Sequence, residues 1–310
     1  MTKLRIRHIL FAVACSAVCF QSSFAQDLDD IIRVAGTGDN MITSGMGKME
    51  YERKTNRDSE RQKSLQAIFN ELNAGGNTQT VHNTSGEYEF AFEGDRYAFI
   101  NRILEDAFME DSCIFNGDSL KTVTRIAESD GDTTKTYSIV TPTSTPGYID
   151  ALNYPLYHSS VLGEPVAMFL ERDAAFLMES MLNDIPCLVF EGTKHDDGSL
   201  LHVWLGPADL YHRPVRIEEL FGESGRTVYD IEYAEHNGMV SVAEIIESHY
   251  SLTTSNAWEL YSISTSTMLA DAQFNIDIPD DTFELVIPPG AIREPWTGPV
   301  FEYQKPDPGL

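Results

Sequence analysis

The residues best suited to chemistry lie in the stretch W-L-G-P-A-D-L-Y-H-R-P-V-R-I-E-E-L, residues 204–220. His212 is followed directly by Arg213, and Asp209 lies three residues before the histidine. An imidazole with a carboxylate and a guanidinium nearby could perform general acid–base catalysis. The stretch contains no serine, threonine or cysteine to act as a nucleophile. Its Gly-Pro-Ala-Asp segment instead has the composition of a turn between two strands, and we favour that interpretation.

Other catalytic and metal-binding patterns are equally weak. The H-D-D-G segment at 195–198 could form a metal loop, but no two histidines have the helical spacing of a metal site, and we favour a polar hairpin turn. G-E-S-G-R at 222–226 lacks the final glycine of a nucleophile elbow, and no phosphate-binding or dinucleotide-binding glycine motif occurs. We therefore expect that the protein is not an enzyme and that it binds no cofactor and no metal.

The N-terminus has the features of a secretory signal. Three basic residues precede the apolar run 9–20, and Ser-Phe-Ala at 23–25 places small residues at the −3 and −1 positions. We expect cleavage after Ala25 and a periplasmic mature protein, residues 26–310, with no transmembrane segment. An alternative is lipid anchoring at Cys15 through an imperfect lipoprotein signal.

The charge of the chain excludes one class of partner. The net charge is −26, and loss of the three basic residues of the signal brings it to −29. Such a chain is repelled by phosphate backbones, so nucleic-acid binding is not expected. The acidic residues are scattered along the whole chain, which favours solubility.

Two cysteines, Cys113 and Cys187, remain after removal of the signal. In an oxidising compartment they could form a disulfide. Two buried thiols on separate strands fit the sequence equally well, and both alternatives stay open.

Most of the chain has the pattern of β-strands in one domain. Residues 28–35 form a short helical stripe that Gly36 and Gly38 are expected to interrupt, and 59–72 predicts a second helix. Strands are predicted near 45–54, 87–93, 113–128 and 135–140. From Pro186 onward a meander is expected, with a hairpin at Asn237-Gly238. The ranges 141–165 and 295–310 are proline-rich, and the latter is expected to be a tail.

The segment 165–182 is expected to form the most apolar element of the chain. Pro165 is placed as a first-turn proline, and P-V-A-M-F-L-E-R-D-A-A-F-L-M-E-S-M-L is apolar nearly all round. We expect a buried helix that shields a cavity when the cavity is empty and moves when a ligand enters.

Alternating aromatic residues provide candidate walls for that cavity. In E-Y-E-F-A-F-E the aromatic residues share one face of a strand, and a second strand repeats the pattern. Ordinary core packing is the simpler explanation, but in a half-barrel a cavity is the unfilled part of the core. The candidate lining residues are Tyr88, Phe90, Phe92, Phe176, Leu177, Tyr229, Ile231 and Tyr233.

Four segments in order resemble the bacterial lipoprotein-sorting (Lol) carrier and receptor superfamily. In that family an aromatic strand leads through an Asp-Pro turn to a P-x-R strand; here Gly206-Pro207 replaces Asp-Pro, while Pro214 and Arg216 keep their places. The other segments are I-T-S-G-M-G-K-M-E-Y (42–51), F-E-G-D-R-Y (92–97) and F-N-I-D-I-P-D-D-T-F-E-L-V-I-P-P-G-A (274–291).

The resemblance implies a mainly β (α+β) fold: an incomplete antiparallel β-barrel wrapped around helices, with a hydrophobic cavity for acyl chains. Its expected partner is an acylated lipoprotein or a lipid, with an envelope protein as a further partner. The alternatives are a ligand-free structural or interaction domain of the cell envelope and, third, an envelope hydrolase with an unrecognised site. A filled interior would favour the structural domain, and an apolar void would favour the carrier.

Overall fold

A computed structural model describes the chain in segments. These are residues 28–64, 67, 83–94, 96–104, 108–117, 120–127, 134–141, 160–172, 174–194, 197–222, 224–285 and 292–294. The predicted signal at 1–25 and the predicted tail at 295–310 lie outside the described residues, so both stay predictions.

The described residues contain three α-helical segments, two short 3₁₀ segments and one large sheet. The helices are α1 (28–39), α2 (60–64) and α3 (Val166–Arg172). None of the described helices combines the length and the apolar character needed to cross a membrane. The strands are β1 (Ser44–Thr55), β2 (Thr84–Glu93), β3 (Arg96–Leu104), β4 (Phe108–Phe115), β5 (Leu120–Ala127), β6 (Thr134–Thr141), β7 (Ala175–Leu182), β8 (Ile185–Thr193), β9 (Leu200–Leu205), β10 (Pro214–Phe221), β11 (Gly225–His236), β12 (Met239–Leu252), β13 (Trp258–Met268), β14 (Gln273–Phe274) and β15 (Ile292–Glu294).

The strand order is β15-β6-β5-β4-β3-β2-β1-β13-β12-β11-β10-β9-β8-β7, with β14 paired to β1. All pairs are antiparallel except β15 with β6. The sheet is therefore two meanders joined by the pairing of β1 with β13, and its described edges, β15 and β7, do not pair with each other. The predicted fold class, an incomplete antiparallel barrel around helices, is confirmed.

Local turn chemistry explains the second meander. Asn237 and Gly238 both have positive φ, 50° and 79°, as the two-residue hairpin between β11 and β12 requires. The predicted turn after Trp204 is also present: a 3₁₀ turn at Ala208–Leu210 leads to β10, which begins at Pro214. The strand–turn–strand interpretation of 204–220 is confirmed.

The helices pack against one face of the sheet, which we call the concave face. Val166 and Phe169 of α3 are fully buried there, beside Ile31 and Ala35 of α1. Asp39, near the end of α1, accepts hydrogen bonds from the backbone N–H groups of Val166 and Ala167, at 3.2 and 3.1 Å. A carboxylate in this position satisfies free N–H groups of α3 and holds the two helices together.

The prediction of one helix over 165–182 is wrong. The helix ends at Arg172, and residues 175–182 form β7, paired with β8. An all-round apolar pattern suits a buried helix or a strand equally well, so pairing with β8 decided the outcome. A local signal was present, because Asn183 and Asp184 form a two-residue hairpin loop with φ of 49° and 65°.

Of the other two helix predictions, the one for α1 is corrected at its C-terminal end, and the one for 59–72 can be followed in part. Helix α1 runs through Gly36 and Gly38 to residue 39, because tertiary packing outweighs their low helix propensity. A Cβ on Gly38 would lie 2.5 Å from the Cβ of Tyr211, so glycine permits this close contact. For the predicted helix 59–72, residues 60–64 and 67 are helical, and the others after 64 lie outside the described residues.

A C-terminal segment, residues 275–285, crosses the opposite, outer face of β2–β4; we call it the strap. Its Ile278 and Phe283 are buried against Ala91, Ala98 and Ile114. The strap is therefore the cover of a second, smaller apolar core on the outer face.

Candidate functional site

The first group of predicted cavity-lining residues lies on β2 and faces the concave side. Phe90 and Phe92 are buried, and Tyr88 packs at the edge of the same cluster. The ring of Tyr88 stacks on Tyr51, with centroids 4.4 Å apart, and on Phe99 at 5.2 Å. These rings form a continuous aromatic surface across β1, β2 and β3.

The second group lies on β11 and faces the same core. Ile231 is buried, and the Tyr229 hydroxyl donates to Glu219 at 3.4 Å. The Tyr233 hydroxyl donates to the carbonyl of Pro214 at 2.8 Å, and burial raises its pKa. The structure thus brings β2 and β11 residues into one cluster, but that cluster also contains the buried side chains of α1 and α3. In this region the concave face is packed with the chain's own residues.

Phe176 and Leu177 differ in environment because they belong to a strand. Phe176 faces the core and contacts Phe190 edge-to-face, with centroids 5.6 Å apart. Leu177 lies at a register shift between Phe176 and Met178, and it is 43% exposed. Leu177 therefore does not line the packed interior.

An apolar groove of about 430 Å³ lies on the outer face of the sheet, next to the strap; we call it the outer groove. Volumes of about 300–1,000 Å³ are typical of small-molecule sites. Its described lining consists of Met46, Gly47, Lys48, Glu89, Phe90, Ala91, Ala98, Ile100, Ile114, Asp271, Gln273 and Thr282.

Strand register explains why the floor of the outer groove is apolar. Ala91 of β2 pairs with Ala98 of β3, and Ala98 pairs in turn with Ile114 of β4. Paired residues in a sheet point to the same side, so these side chains form one apolar row. The two alanines leave space that larger side chains would fill.

Hydrogen bonds and an ion pair hold the strap beside this floor. Near its start, the Asn275 side chain donates to the carbonyl of Met41 at 2.7 Å, and Ser44 donates to the carbonyl of Ile276 at the same distance. Further along, Arg96 pairs with Asp280 at 2.6 Å, and its guanidinium lies 4.5 Å from the centre of the Phe283 ring. The wall of the outer groove is thus anchored on β1 and β3.

One end of the outer groove is charged. Lys48 Nζ lies 2.6 Å from Glu89 and 3.5 Å from Glu87. Arg102 contacts Glu87 at 3.1 Å, Glu89 at 2.7 Å and Glu110 at 2.9 Å. The hydrogen bond from Arg102 lowers the pKa of Glu89, and the bond to Glu89 raises the pKa of Lys48. Both groups are therefore charged at neutral pH.

The alternation in E-Y-E-F-A-F-E puts Glu87 and Glu89 on the face of β2 opposite the aromatic residues, but it does not indicate a groove there. The missed signal is the small apolar Ala91 on that same face, followed by Ala98 at the paired position. The alternating apolar residues of the strap, Ile276 and Ile278, were a second signal, because they need an apolar surface to cover.

A second groove, also about 430 Å³, lies near β7, an edge strand of the sheet in the described residues. Met181, Pro186 and Leu188 line it together with Pro207 and His212. The Nδ1 atom of His212 lies 2.8 Å from the carbonyl oxygen of Gly206. Within the described residues His212 therefore has a turn-stabilising contact.

Arg213, the other candidate of the opening stretch, is buried. Its guanidinium donates to the carbonyls of Val240 and Gly38, at 2.5 and 3.2 Å. These bonds connect the turn before β10 to β12 and to α1. Arg213 thus holds elements of the fold together.

The segment 195–198, for which a polar hairpin turn was favoured over a metal loop, is described in part, and both cysteines are described. His195 and Asp196 lie outside the described residues, while Asp197 accepts a hydrogen bond from the Ser199 N–H at 2.8 Å, as in a turn. Across the described parts of the chain, no group of three or more His, Cys, Asp or Glu side chains could hold a metal ion. Cys113 on β4 and Cys187 on β8 are buried free thiols, so the open alternative of two separate thiols describes this structure.

Comparison with known proteins gives neighbours in structure alone. No family model and no curated relative matches the chain. A DUF1329 family protein from Desulfovibrio piger is 10% identical over 83% of this chain and 97% of its own, with a TM-score of 0.44. A proposed outer membrane lipoprotein-sorting protein domain from Vibrio parahaemolyticus is 12% identical over 82% and 94%, with a TM-score of 0.42. A LolA superfamily protein from Nitrosomonas europaea is 14% identical over 83% and 97%, also at 0.42.

Two of these neighbours carry the name of the superfamily that the sequence motifs resemble. With identities of 14% or less and TM-scores below 0.5, the similarity concerns the fold, and no ligand or partner follows from it.

Proposed function

We propose that this protein is an exported, periplasmic, non-enzymatic binder of the acyl chain of a lipid or lipoprotein, and that the outer groove is its binding site. The observation that carries the proposal is a groove of about 430 Å³ with an apolar floor of Ala91, Ala98 and Ile114. This site differs from the cavity expected from the sequence, because α1 and α3 pack the concave face beside β11.

The apolar floor sets the scale of the affinity. Burying ten methylene groups at about 0.8 kcal/mol each contributes about 8 kcal/mol. Association and ordering of the chain reduce this gain. A dissociation constant of about 1 μM corresponds to about 8 kcal/mol, so we expect micromolar or weaker binding.

The first test identifies the molecules that remain bound to the purified protein. Residues 26–310, purified from a periplasm without detergent, are extracted with organic solvent and analysed by mass spectrometry. A stoichiometric acyl lipid or acylated peptide is the expected result. In a separate preparation, the intact mass of protein expressed from the full chain, residues 1–310, and extracted with detergent tests cleavage after Ala25 against lipidation at Cys15.

The second test uses a fluorescent twelve-carbon acyl probe and a matched pair of variants. Met46 lines the outer groove and is 39% exposed, so Met46→Glu introduces a charge at the groove with little effect on folding. Met168 is also exposed but lies on α3, away from the groove, and Met168→Glu is the control. We expect Met46→Glu to weaken probe binding by about tenfold or more, the equivalent of 1.4 kcal/mol, and Met168→Glu to leave it unchanged.

A ligand-free structural or interaction domain is the second candidate function. It is favoured by the complete burial of Val166 and Phe169 in the concave core. A protein that contains no lipid and does not bind the acyl probe would support this candidate and contradict acyl binding.

A further inference from the structure

The charged end of the outer groove contains more carboxylates than cations. Lys48, Glu89 and Asp271 line the groove itself, and Glu87, Arg102 and Glu110 continue from it along the outer face. Four carboxylates and two cations give this end a formal net charge of −2.

Both cations are already paired with carboxylates. Lys48 lies within 3.5 Å of two glutamates. Arg102 contacts three, and its side chain is 25% exposed. An anionic ligand head would have to displace one of these ion pairs. It would also be repelled by the remaining carboxylates.

Asp271 stands on the rim of the groove, in the turn that follows β13, and it is exposed. It belongs to a different segment from the paired glutamates of β2. A ligand head bound at this end would therefore lie near two carboxylates, Glu89 on the sheet and Asp271 on the rim.

We propose that the ligand of the outer groove is a lipid whose head carries an ammonium group, and that Glu89 and Asp271 select it over a fatty acid. This inference rests on the proposed function, because it assigns the head group of the chain bound in that groove. The ammonium group donates hydrogen bonds to Asp271, and charge-assisted bonds of this kind are the stronger ones. Glu89 is already paired with Lys48 and Arg102, so it contributes through its place in the net negative charge of this end. A fatty-acid carboxylate has no hydrogen-bond donor, and its negative charge is repelled by the carboxylates of the groove.

The test compares twelve-carbon amphiphiles that differ in the head alone. Dodecylamine (protonated at neutral pH), dodecanoate and uncharged dodecanol each displace the fluorescent acyl probe from residues 26–310, below micelle-forming concentrations. We expect dodecylamine to displace the probe at a concentration at least tenfold lower than dodecanoate does. Because the groups are near the surface, added salt should reduce the difference.

Two matched variants show whether the groove causes the preference. Asp271→Asn should reduce the preference for dodecylamine severalfold. Asp277→Asn removes the same charge from an exposed position of the strap outside the groove lining and should have no effect. Met46→Glu should weaken the binding of dodecanoate and dodecanol.

Each remaining outcome contradicts a different statement. Equal displacement by dodecylamine and dodecanoate, or a preference for dodecanoate, overturns the head-group assignment and leaves acyl binding intact. A dodecylamine preference that Asp271→Asn leaves unchanged also overturns it, since the general negative charge of the protein would then be the cause. If the probe does not bind at all, the proposed function itself fails.

Discussion

The ion pair between Lys194 and Glu219 provides the most quantitative prediction from the structure. Lys194 Nζ lies 3.0 Å from Glu219 Oε1. The Glu219 side chain is 1% exposed and that of Lys194 is 15% exposed. Glu219 pairs in register with the buried residues Leu201 and Thr227, so its carboxylate has little access to water.

Replacement of Lys194 by methionine would leave a buried carboxylate without its cation. The attraction over 3.0 Å is about 5.5 kcal/mol at an effective dielectric constant of about 20. Removal of one partner of a buried pair costs about 3–5 kcal/mol in general. Because Lys194 is partly exposed, we expect Lys194→Met to lower the free energy of unfolding by about 3 kcal/mol, measured by urea denaturation.

The cost should depend on pH in a defined direction. Burial raises the pKa of Glu219 above its usual 4.5, and Lys194 partly opposes this shift. The stability that the neutral carboxyl contributes is present below 4.5 and is lost as pH rises through the raised value. Without Lys194 the pKa rises further, so the cost of Lys194→Met should be smaller at about pH 5 than at about pH 8.

Two controls separate this explanation from a general loss of packing. Lys194→Met combined with Glu219→Met removes both charges and should recover most of the lost stability. Lys54→Met removes an exposed ion pair with Glu52 and should change stability by less than about 1 kcal/mol. A cost below 1 kcal/mol for Lys194→Met, a cost independent of pH, or no recovery in the double variant would each refute the reasoning.

Further predictions concern β7 and the thiols. Phe176→Asp, which places a charge against Phe190, should lower the free energy of unfolding by at least about 2 kcal/mol, while Leu177→Asp should change it by about 0.5 kcal/mol or less. Equal effects in urea denaturation would contradict the strand assignment. Burial raises the pKa of Cys113 to about 12 and also raises that of Cys187. The Cys113 thiol of residues 26–310 should not react with a thiol reagent at about pH 8 until urea unfolds the protein, whereas Cys187, which lines the second groove, should react sooner; rapid modification of Cys113 in the native protein would contradict its burial.

Features that depend only on residues adjacent in the sequence were predictable from the sequence. Alternation in E-Y-E-F-A-F-E placed the aromatic residues of β2 on one face, since successive side chains of a strand point to opposite sides. Asn237-Gly238 specified its hairpin, because both residues tolerate the positive φ of the turn. Proline positions likewise indicated where α3 and β10 begin.

The outer groove was not predictable in this way. It exists because the strap crosses two paired alanines of β2 and β3, and nothing local to Ala91 or Ala98 indicates which segment will cover them. Its charged end likewise requires Lys48 and Arg102 to meet the same glutamates across three strands.

The sequence by itself thus determined an antiparallel, mainly β fold with a meander from Pro186 onward, because period-two alternation and turn residues act over a few positions. Tertiary structure decided the state of residues 175–182, the packing of the concave face and the site on the outer face. An apolar segment gains similar burial as a helix or as a strand. The choice for 175–182 therefore depended on the hydrogen-bonding edge that β8 presents.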